Sequence, residues 1–196
     1  MVRLTRIYTG GGDEGETSLG DGTRVRKDSL RVRAFGEVDE LNSCIGVARG
    51  EGLSAEVDRR LAIVQNDLFD LGADLSAPQV EGQERLRIQP QQVAALERWC
   101  DAVNEALPHL TSFILPGGGR AAAALPLARA VCRRAERVAV GLSDASEVNE
   151  HALVYLNRLS DLLFILARAE TPDGGEVLWV PGASRGETGE DEADAH

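Results

Sequence analysis

Residues 55–76 read AEVDRRLAIVQNDLFDLGADLS, and apolar residues recur within them at Val57, Leu61, Val64, Leu68, Leu71 and Leu75. The intervals alternate four and three, which lays one continuous stripe along an α-helix, the seam of a helix packed in a bundle. A strand would instead alternate at every second residue. Pro78 stops this helix and a polar loop follows to about residue 89. Upstream, Val38, Leu41, Ile45 and Ala48 repeat the same period up to Gly50. Downstream, a third helix follows Pro90 with Val93, Leu96, Cys100, Val103 and Leu107 on one face, and Pro108 ends it. A fourth helix, about 121–142, starts Ala-rich, and a fifth, about 146–169, carries Val148, Tyr155, Leu159, Leu162 and Leu166 before Pro172. Aromatic residues make up only 4% of the chain against 43% hydrophobic, so the core must be aliphatic, which suits packed helices better than a sandwich. These readings predict an all-α five-helix bundle within one domain, 1–182. A glycine-rich arm spans 1–36, the bundle 37–170, and a disordered acidic tail 183–196.

The formal net charge is −11, which argues against nucleic acid and anionic membranes as partners. Part of this charge sits in the tail, where five acids, Glu187, Glu190, Asp191, Glu192 and Asp194, follow the last base, Arg185. Cys44, Cys100 and Cys132 are odd in number and far apart, which fits buried side chains in a reducing compartment rather than disulfides or a zinc site. No apolar run reaches the roughly 18 residues of a membrane span, and no apolar segment precedes the glycines. A cytoplasmic protein is expected.

Four segments interrupt the hydrophobic pattern with chemistry. Gly10-Gly11-Gly12-Asp13-Glu14-Gly15-Glu16-Thr17 nearly spells a phosphate-binding P-loop, but Glu16 holds the lysine position and no strand–helix frame surrounds it. The segment is either a flexible arm or a loop whose backbone N–H groups, with the Thr17 and Ser18 hydroxyls, cradle a phosphate. Arg129, Arg133 and Arg137, four apart, share one helix face with Glu136 nearby. They form either a solvated face or an anion site, since guanidinium forks bind phosphate oxygens bidentately. Asn157, Ser160 and Asp161 break an apolar helix, either as register pins or as site residues. Gly36-Glu37-Val38-Asp39-Glu40-Leu41-Asn42-Ser43 opens the first helix, its acids either facing the helix dipole or pairing with an arginine elsewhere. Lys27 is the single lysine beside 20 arginines and follows the glycine arm directly, a candidate compact charge for phosphate. His109 and His151 read as structural or surface residues. A di-iron bundle is disfavoured, because Glu147 and Glu150-His151 have the wrong spacing and no mate. A non-catalytic helical interaction protein would explain the bundle but not the joint occurrence of these segments.

Taken in order, Ile7-Tyr8-Thr9 with Gly12-Asp13 and Gly15, Gly36 to Ser43, Phe113-Ile114-Leu115-Pro116-Gly117-Gly118, Ala128-Arg129 with Cys132 to Arg137, and Leu156 to Asp161 resemble the PduO-type ATP:cob(I)alamin adenosyltransferases over about residues 5–170. The resemblance implies a homotrimer of five-helix bundles with active sites between subunits. The implied reaction transfers the 5′-deoxyadenosyl group of ATP to cob(I)alamin, with magnesium held mainly by the ATP phosphates. It further implies that Thr9, Gly10, Gly11, Gly12, Thr17, Ser18 and Lys27 bind ATP, with Arg133, Arg134, Ala135, Glu136, Arg137 and Asn157 completing the site. Arg133, Asn157 and Phe113 are the implied catalytic residues, and Phe113 and Phe164 lie near the corrin. The resemblance also implies that Asp39 pairs with Arg129 across a subunit boundary. A reductase supplying the electron and a cobalamin-dependent mutase consuming the product are the implied protein partners. The chain departs from the family pattern at Gly10 and Glu14, where lysines are common.

Overall fold

The computed structural model describes Tyr8, residues 10–78 and residues 85–186. The elements are β1 (Glu16–Ser18), β2 (Arg24–Arg26), α1 (Leu30–Gly50), α2 (Ala55–Ser76), α3 (Pro90–Asn104), α4 (Arg120–Ser143) and α5 (Glu150–Ala169), with a short 3-10 turn at Ala183–Gly186. Thr9 of the expected ATP set and the tail from residue 187 onward lie outside the described residues.

The stripe that identified α2 is buried along its length: Val57, Leu61, Val64, Leu68, Leu71 and Leu75 all belong to one core with Leu41, Ile45, Leu125, Leu159, Leu162 and Leu166. α4 packs against α1 on one side and α5 on the other; α2 packs on α1, and α3 on α5. Its inward stripe is mostly small, Ala122, Ala128, Cys132, Ala135 and Ala139. Small side chains let its neighbours approach closely, and each core contact adds dispersion attraction. Tyr155 is fully buried, with its hydroxyl donating to Asp67 at 3.0 Å, and Gln92 donates to the other oxygen of the same carboxylate at 2.8 Å. One carboxylate thereby links α2, α3 and α5. Burial, reinforced by that carboxylate, raises the Tyr155 pKa.

Three boundaries differ from the sequence reading: α3 stops at Asn104, before Leu107 and Pro108, α5 starts at Glu150 rather than about residue 146, and the third is the start of α1. The arm ends at Ser29 rather than residue 36, and Gly36 lies inside α1. Residues 30–35 are helical because Arg31 and Ala34 are buried on the face that Val38 and Leu41 continue. Burial on a packed face outweighs the roughly 1 kcal/mol that one glycine costs a helix. Glu37, Asp39 and Glu40 therefore sit in mid-helix, where the terminal dipole does not account for them.

The arm itself is a small antiparallel hairpin, pairing Glu16 with Arg26, Thr17 with Val25 and Ser18 with Arg24. It docks at the end of the bundle where α2 stops, through Gly20 N–H donating to the Ser76 carbonyl at 3.1 Å. A Cβ on Gly20 would lie 2.6 Å from Ser76 Oγ, so a larger residue there would have to turn that hydroxyl away. Arg31, buried in the same end, donates to the Leu75 carbonyl at 2.8 Å and to Ser146 Oγ at 2.5 Å.

Asp74 is the polar hub of that end. Its Oδ2 accepts from the Ile88 N–H at 2.8 Å and from Asn149 Nδ2 at 2.7 Å, while Oδ1 meets Arg87 at 2.7 Å. Two segments, residues 87–88 and Asn149, converge on one carboxylate that is 2% exposed. Removing it would leave the Ile88 N–H without its acceptor and Arg87 without its counter-ion, though Arg87 keeps the Ala77 and Pro78 carbonyls and Asn149 keeps the Ile88 carbonyl. Asp74→Ala should therefore lower stability by about 3 kcal/mol in urea unfolding, with Asp74→Asn recovering part of the loss. An Asp74→Ala protein as stable as the parent would remove this hub from the account.

Candidate functional site

α4 turns about 100° per residue, so Arg133 to Arg137 cannot act as one block. Ala135 is fully buried in the core, and Arg134 turns toward α1, where its Nε donates to Glu37 at 2.5 Å and Nη2 to Glu40. Hydrogen bonds to Glu40 and Glu37 push the Arg134 pKa up, the behaviour of an internal ion pair. The structure thus separates Arg134 and Ala135 from the face that carries Arg133, Glu136 and Arg137. Arg133 and Arg137 are exposed. Arg137 donates to the Arg133 carbonyl at 3.0 Å, and the Arg133 guanidinium forms no ion pair among the described residues. Two cations stand side by side with their charge available to an anion.

Beside them on α5, Asn157 has its amide fixed from both sides. Its Nδ2 donates to Glu136 Oε1 at 2.9 Å, and its Oδ1 accepts from Arg158 Nη1 at 2.6 Å. Arg158 is held in turn by Glu97 of α3 at 2.9 Å. Glu97, Arg158 and Glu136 are residues the sequence reading either missed or left open as partners of Asn157. Pairs separated by 61 or 21 positions leave no periodic signal.

Toward the other end of the same face, Arg129 lies over the Phe164 ring, its guanidinium carbon 5.4 Å from the centroid. A cation over an aromatic face is attracted by the ring quadrupole. Arg129 Nε is nevertheless buried with no hydrogen-bond acceptor. Asp39 is exposed on α1, at the rim of a groove lined also by Phe35, Gly36, Val38 and Phe69. The two residues do not pair within one chain.

Phe113 is 77% exposed and so does not pack in the core. It belongs to a two-stranded ribbon at the end of the bundle where α4 begins. Leu115 N–H donates to the Val177 carbonyl at 2.8 Å and Trp179 N–H to the Phe113 carbonyl at 2.7 Å. The Phe113 and Trp179 rings meet at 6.0 Å between centroids, tilted by 57°. Ile114, Leu115, Pro126, Arg129, Phe164 and Arg168 line a small cavity under this ribbon. Trp179 was not singled out by the sequence, although Val177-Leu178-Trp179-Val180 is a conspicuous apolar run in a polar C-terminal stretch.

In the arm, Gly10, Gly11 and Gly12 form successive turns, with Asp13 N–H donating to the Gly10 carbonyl at 3.3 Å. Gly10 has φ +74°, a conformation that favours glycine. Lys27 lies against Gly12: a Cβ there would sit 2.9 Å from Lys27 Nζ and 3.2 Å from the Glu16 carbonyl. The Arg24 guanidinium donates to the Gly11 carbonyl at 2.7 Å. Two cations from β2 and the residue after it thus sit at the turn where Gly10 and Glu14 supply none. Thr17 and Ser18 lie on β1, and Ser18 Oγ accepts from Arg24 at 3.5 Å. No hydrogen bond or ion pair joins residues 10–29 to Arg133, Arg137 or Asn157 of the same chain; the arm is tied instead to α2. Burial pushes the Cys100 thiol up to about 11 and Cys132 higher still, so neither is a thiolate near neutral pH. Among the described residues no three His, Cys, Asp or Glu side chains converge on a metal position. None of the described helices is long and apolar enough to cross a membrane.

The chain belongs to the cobalamin adenosyltransferase family, whose model matches residues 7–170. The chain is 50% identical over 189 residues to a corrinoid adenosyltransferase of Mycobacterium tuberculosis, covering 94% of this chain and 97% of that one. It is 52% identical over 180 residues to a cobalamin adenosyltransferase of Cupriavidus metallidurans, covering 90% and 95%. Among solved structures, a phenylalanine-to-alanine variant of the PduO-type ATP:corrinoid adenosyltransferase from Lactobacillus reuteri, complexed with cobalamin and ATP, superposes with a TM-score of 0.83 at 35% identity, covering 89% of this chain and 99% of that one. An arginine-to-lysine variant of the same enzyme, complexed with ATP, gives a TM-score of 0.83 at 36% identity over 89% and 100%.

Proposed function

We propose that this chain transfers the 5′-deoxyadenosyl group of ATP to cob(I)alamin, yielding adenosylcobalamin and triphosphate, at sites completed between copies of a homotrimer. One observation carries the reading. A single face of α4 and α5 runs from exposed cations at Arg133 and Arg137 to an apolar aromatic end at Phe164 and Phe113. At 1.5 Å per residue, Arg137 and Arg129 lie about 12 Å apart along the helix. That length suits a substrate pair in which a polyanion and a large apolar ring meet at a carbon between them.

The cobalt of cob(I)alamin is the nucleophile. Its electron pair forms the bond to the ribose 5′ carbon as the C5′–O bond breaks, and that bonding pair leaves on triphosphate. No proton is moved, so the site needs no general base. What the chain supplies is alignment and charge for the leaving group. Arg133 and Arg137 neutralise the triphosphate, and Asn157 offers a direction-fixed amide beside it. Lys27 and Arg24 bring charge to the glycine turns, whose backbone can approach phosphates closely. Magnesium would be carried mainly by the phosphate oxygens, with Glu136 a carboxylate on the same face as the arginines. Phe113, exposed and mounted on the ribbon, takes the corrin face where the lower axial base would sit. That favours four-coordinate cob(II)alamin, which is easier to reduce.

Sharing of the site between subunits is supported by what one chain leaves unfinished. The arm docks beside α2, with no bond to Arg133, Arg137 or Asn157. Arg129 has a buried Nε without an acceptor, and Asp39 stands exposed beside an apolar groove with Phe69 72% exposed. A neighbouring copy that seats its Asp39 on Arg129 would satisfy both charges and bring an arm to the arginine face. A reductase and a mutase, acting before and after the reaction in the cytoplasm, complete the proposed setting.

The direct test is an anaerobic assay with ATP and chemically reduced cobalamin, followed by the spectrum of adenosylcobalamin; no product sinks the reading. Arg133→Ala should lower the rate by on the order of 100-fold, about 3 kcal/mol, and Arg133→Lys should restore only part because the planar fork is lost. Unchanged kinetics in Arg133→Ala would return this face to solvent. Asp39→Ala and Arg129→Ala should each lower activity, and mixing the two variants should recover some of it through sites built from intact halves. A stable, fully active monomer in light scattering would refute the shared site.

A further inference from the structure

We infer that Trp179 and the pair of buried Arg168 with Glu176 are positioning residues for Phe113, a device to which the segment past the matched family region contributes Glu176 and Trp179. The inference rests on the reading of Phe113 given above. An exposed ring can hold off a ligand only if its mount is stiff, because an unrestrained loop would turn such a ring inward to bury it. The mount is specified in detail. Ile114 bridges Leu178, and two main-chain hydrogen bonds, Leu115 to Val177 and Trp179 to Phe113, fix the register of the ribbon. Ser112 Oγ adds a third bond at 2.8 Å, to the Trp179 carbonyl. Register determines which face each side chain takes, and here it sets the Trp179 ring against the Phe113 ring.

The ribbon is in turn anchored to α5. Arg168, with its side chain only 5% exposed, donates Nε to Glu176 at 2.8 Å and Nη2 to the Pro108 carbonyl at 2.8 Å. Those two acceptors lie just before the two strands, so one guanidinium holds both at their base. Gly118 closes the turn after the first strand: its φ is +94°, and a Cβ there would fall 2.4 Å from Thr171 Oγ1. On α5, Asn157, Phe164 and Arg168 follow at intervals of seven and four, which places them on one side of the helix. The helix that orients the amide beside the arginine pair also carries the anchor of the ring. Its rigidity ties the height of Phe113 to the nucleotide end of the face, and misplacement by about 1 Å is enough to cost on the order of 100-fold in a reaction that depends on alignment.

The test compares Trp179→Ala, Trp179→Phe, Glu176→Ala and Glu176→Gln with the parent trimer, in three measurements. Electron paramagnetic resonance of cob(II)alamin with enzyme and ATP reads the four-coordinate fraction. Turnover is measured from cob(II)alamin with a reductant and, separately, from cob(I)alamin supplied ready-made. Hydrogen exchange at the Leu115 and Trp179 amides reads the ribbon itself without any corrinoid. Trp179→Ala and Glu176→Ala should lower the four-coordinate signal and slow turnover from cob(II)alamin by about 10-fold, while turnover from cob(I)alamin falls by about threefold or less. Trp179→Phe and Glu176→Gln, which keep a ring and an acceptor, should recover most of the signal. Glu176→Ala should also speed exchange at both amides. A four-coordinate signal equal to the parent's in Trp179→Ala and Glu176→Ala overturns the inference, and so does unchanged exchange at those amides in Glu176→Ala. Failure of the underlying reading looks different: the parent itself gives no four-coordinate signal, or Phe113→Ala keeps it in full.

Discussion

How closely α4 can approach its two neighbours governs every distance on the proposed active face. Its inward stripe is mostly Ala and Cys, so α1 and α5 come in close and the helix has no room to rotate about its axis. With Ala128, Cys132, Ala135 and Ala139 locked inward, Arg134 is forced toward the acids of α1, and Arg133, Glu136 and Arg137 toward the outer edge of α5. Enlarging any of those small residues would rotate or displace the whole set together. The chemistry of the face is thus set by side chains that never touch a substrate.

The charges fall into two populations. Those that fix the fold are paired: Asp74 with Arg87, Arg134 with Glu37 and Glu40, Arg168 with Glu176. Most of those assigned to the reaction are left without a carboxylate: Arg133, Arg129 and Lys27 form no ion pair among the described residues, while Arg24 meets Glu16 at 3.4 Å. In a chain of net charge −11 this segregation matters, because acids are abundant and yet have not been placed against most of these cations. A polyanionic substrate therefore meets positive charge that it does not have to win from an internal partner.

Periodicity made the bundle legible. The stripe of α2 and the proline that opens α3 mark elements whose burial repeats along the chain, and repetition is what a single sequence displays. The start of α1 was misread because the apolar period is plain only from Val38 onward, while the burial of Arg31 and Ala34 that extends the helix upstream is a tertiary fact. The arginine face was legible as a spacing of four, but reading Arg133 to Arg137 as one segment took in Arg134 and Ala135, which the helix directs elsewhere. The Asp74 hub, the Glu97–Arg158–Asn157 chain and the ribbon that carries Trp179 were out of reach. Each joins residues from distant segments, so no local pattern announces it.

Lys27 is exposed, and it is the only lysine of the chain. Most proteins of this size scatter amines over their surface, so an acylating reagent reports on everything at once. Here such a reagent has one side-chain target, and that target rests against the Gly12 turn. The near-total use of arginine elsewhere has therefore left the protein with a built-in chemical handle. A dye or a mass tag delivered by ordinary amine chemistry would go to the glycine arm, the N-terminal amine being its sole competitor.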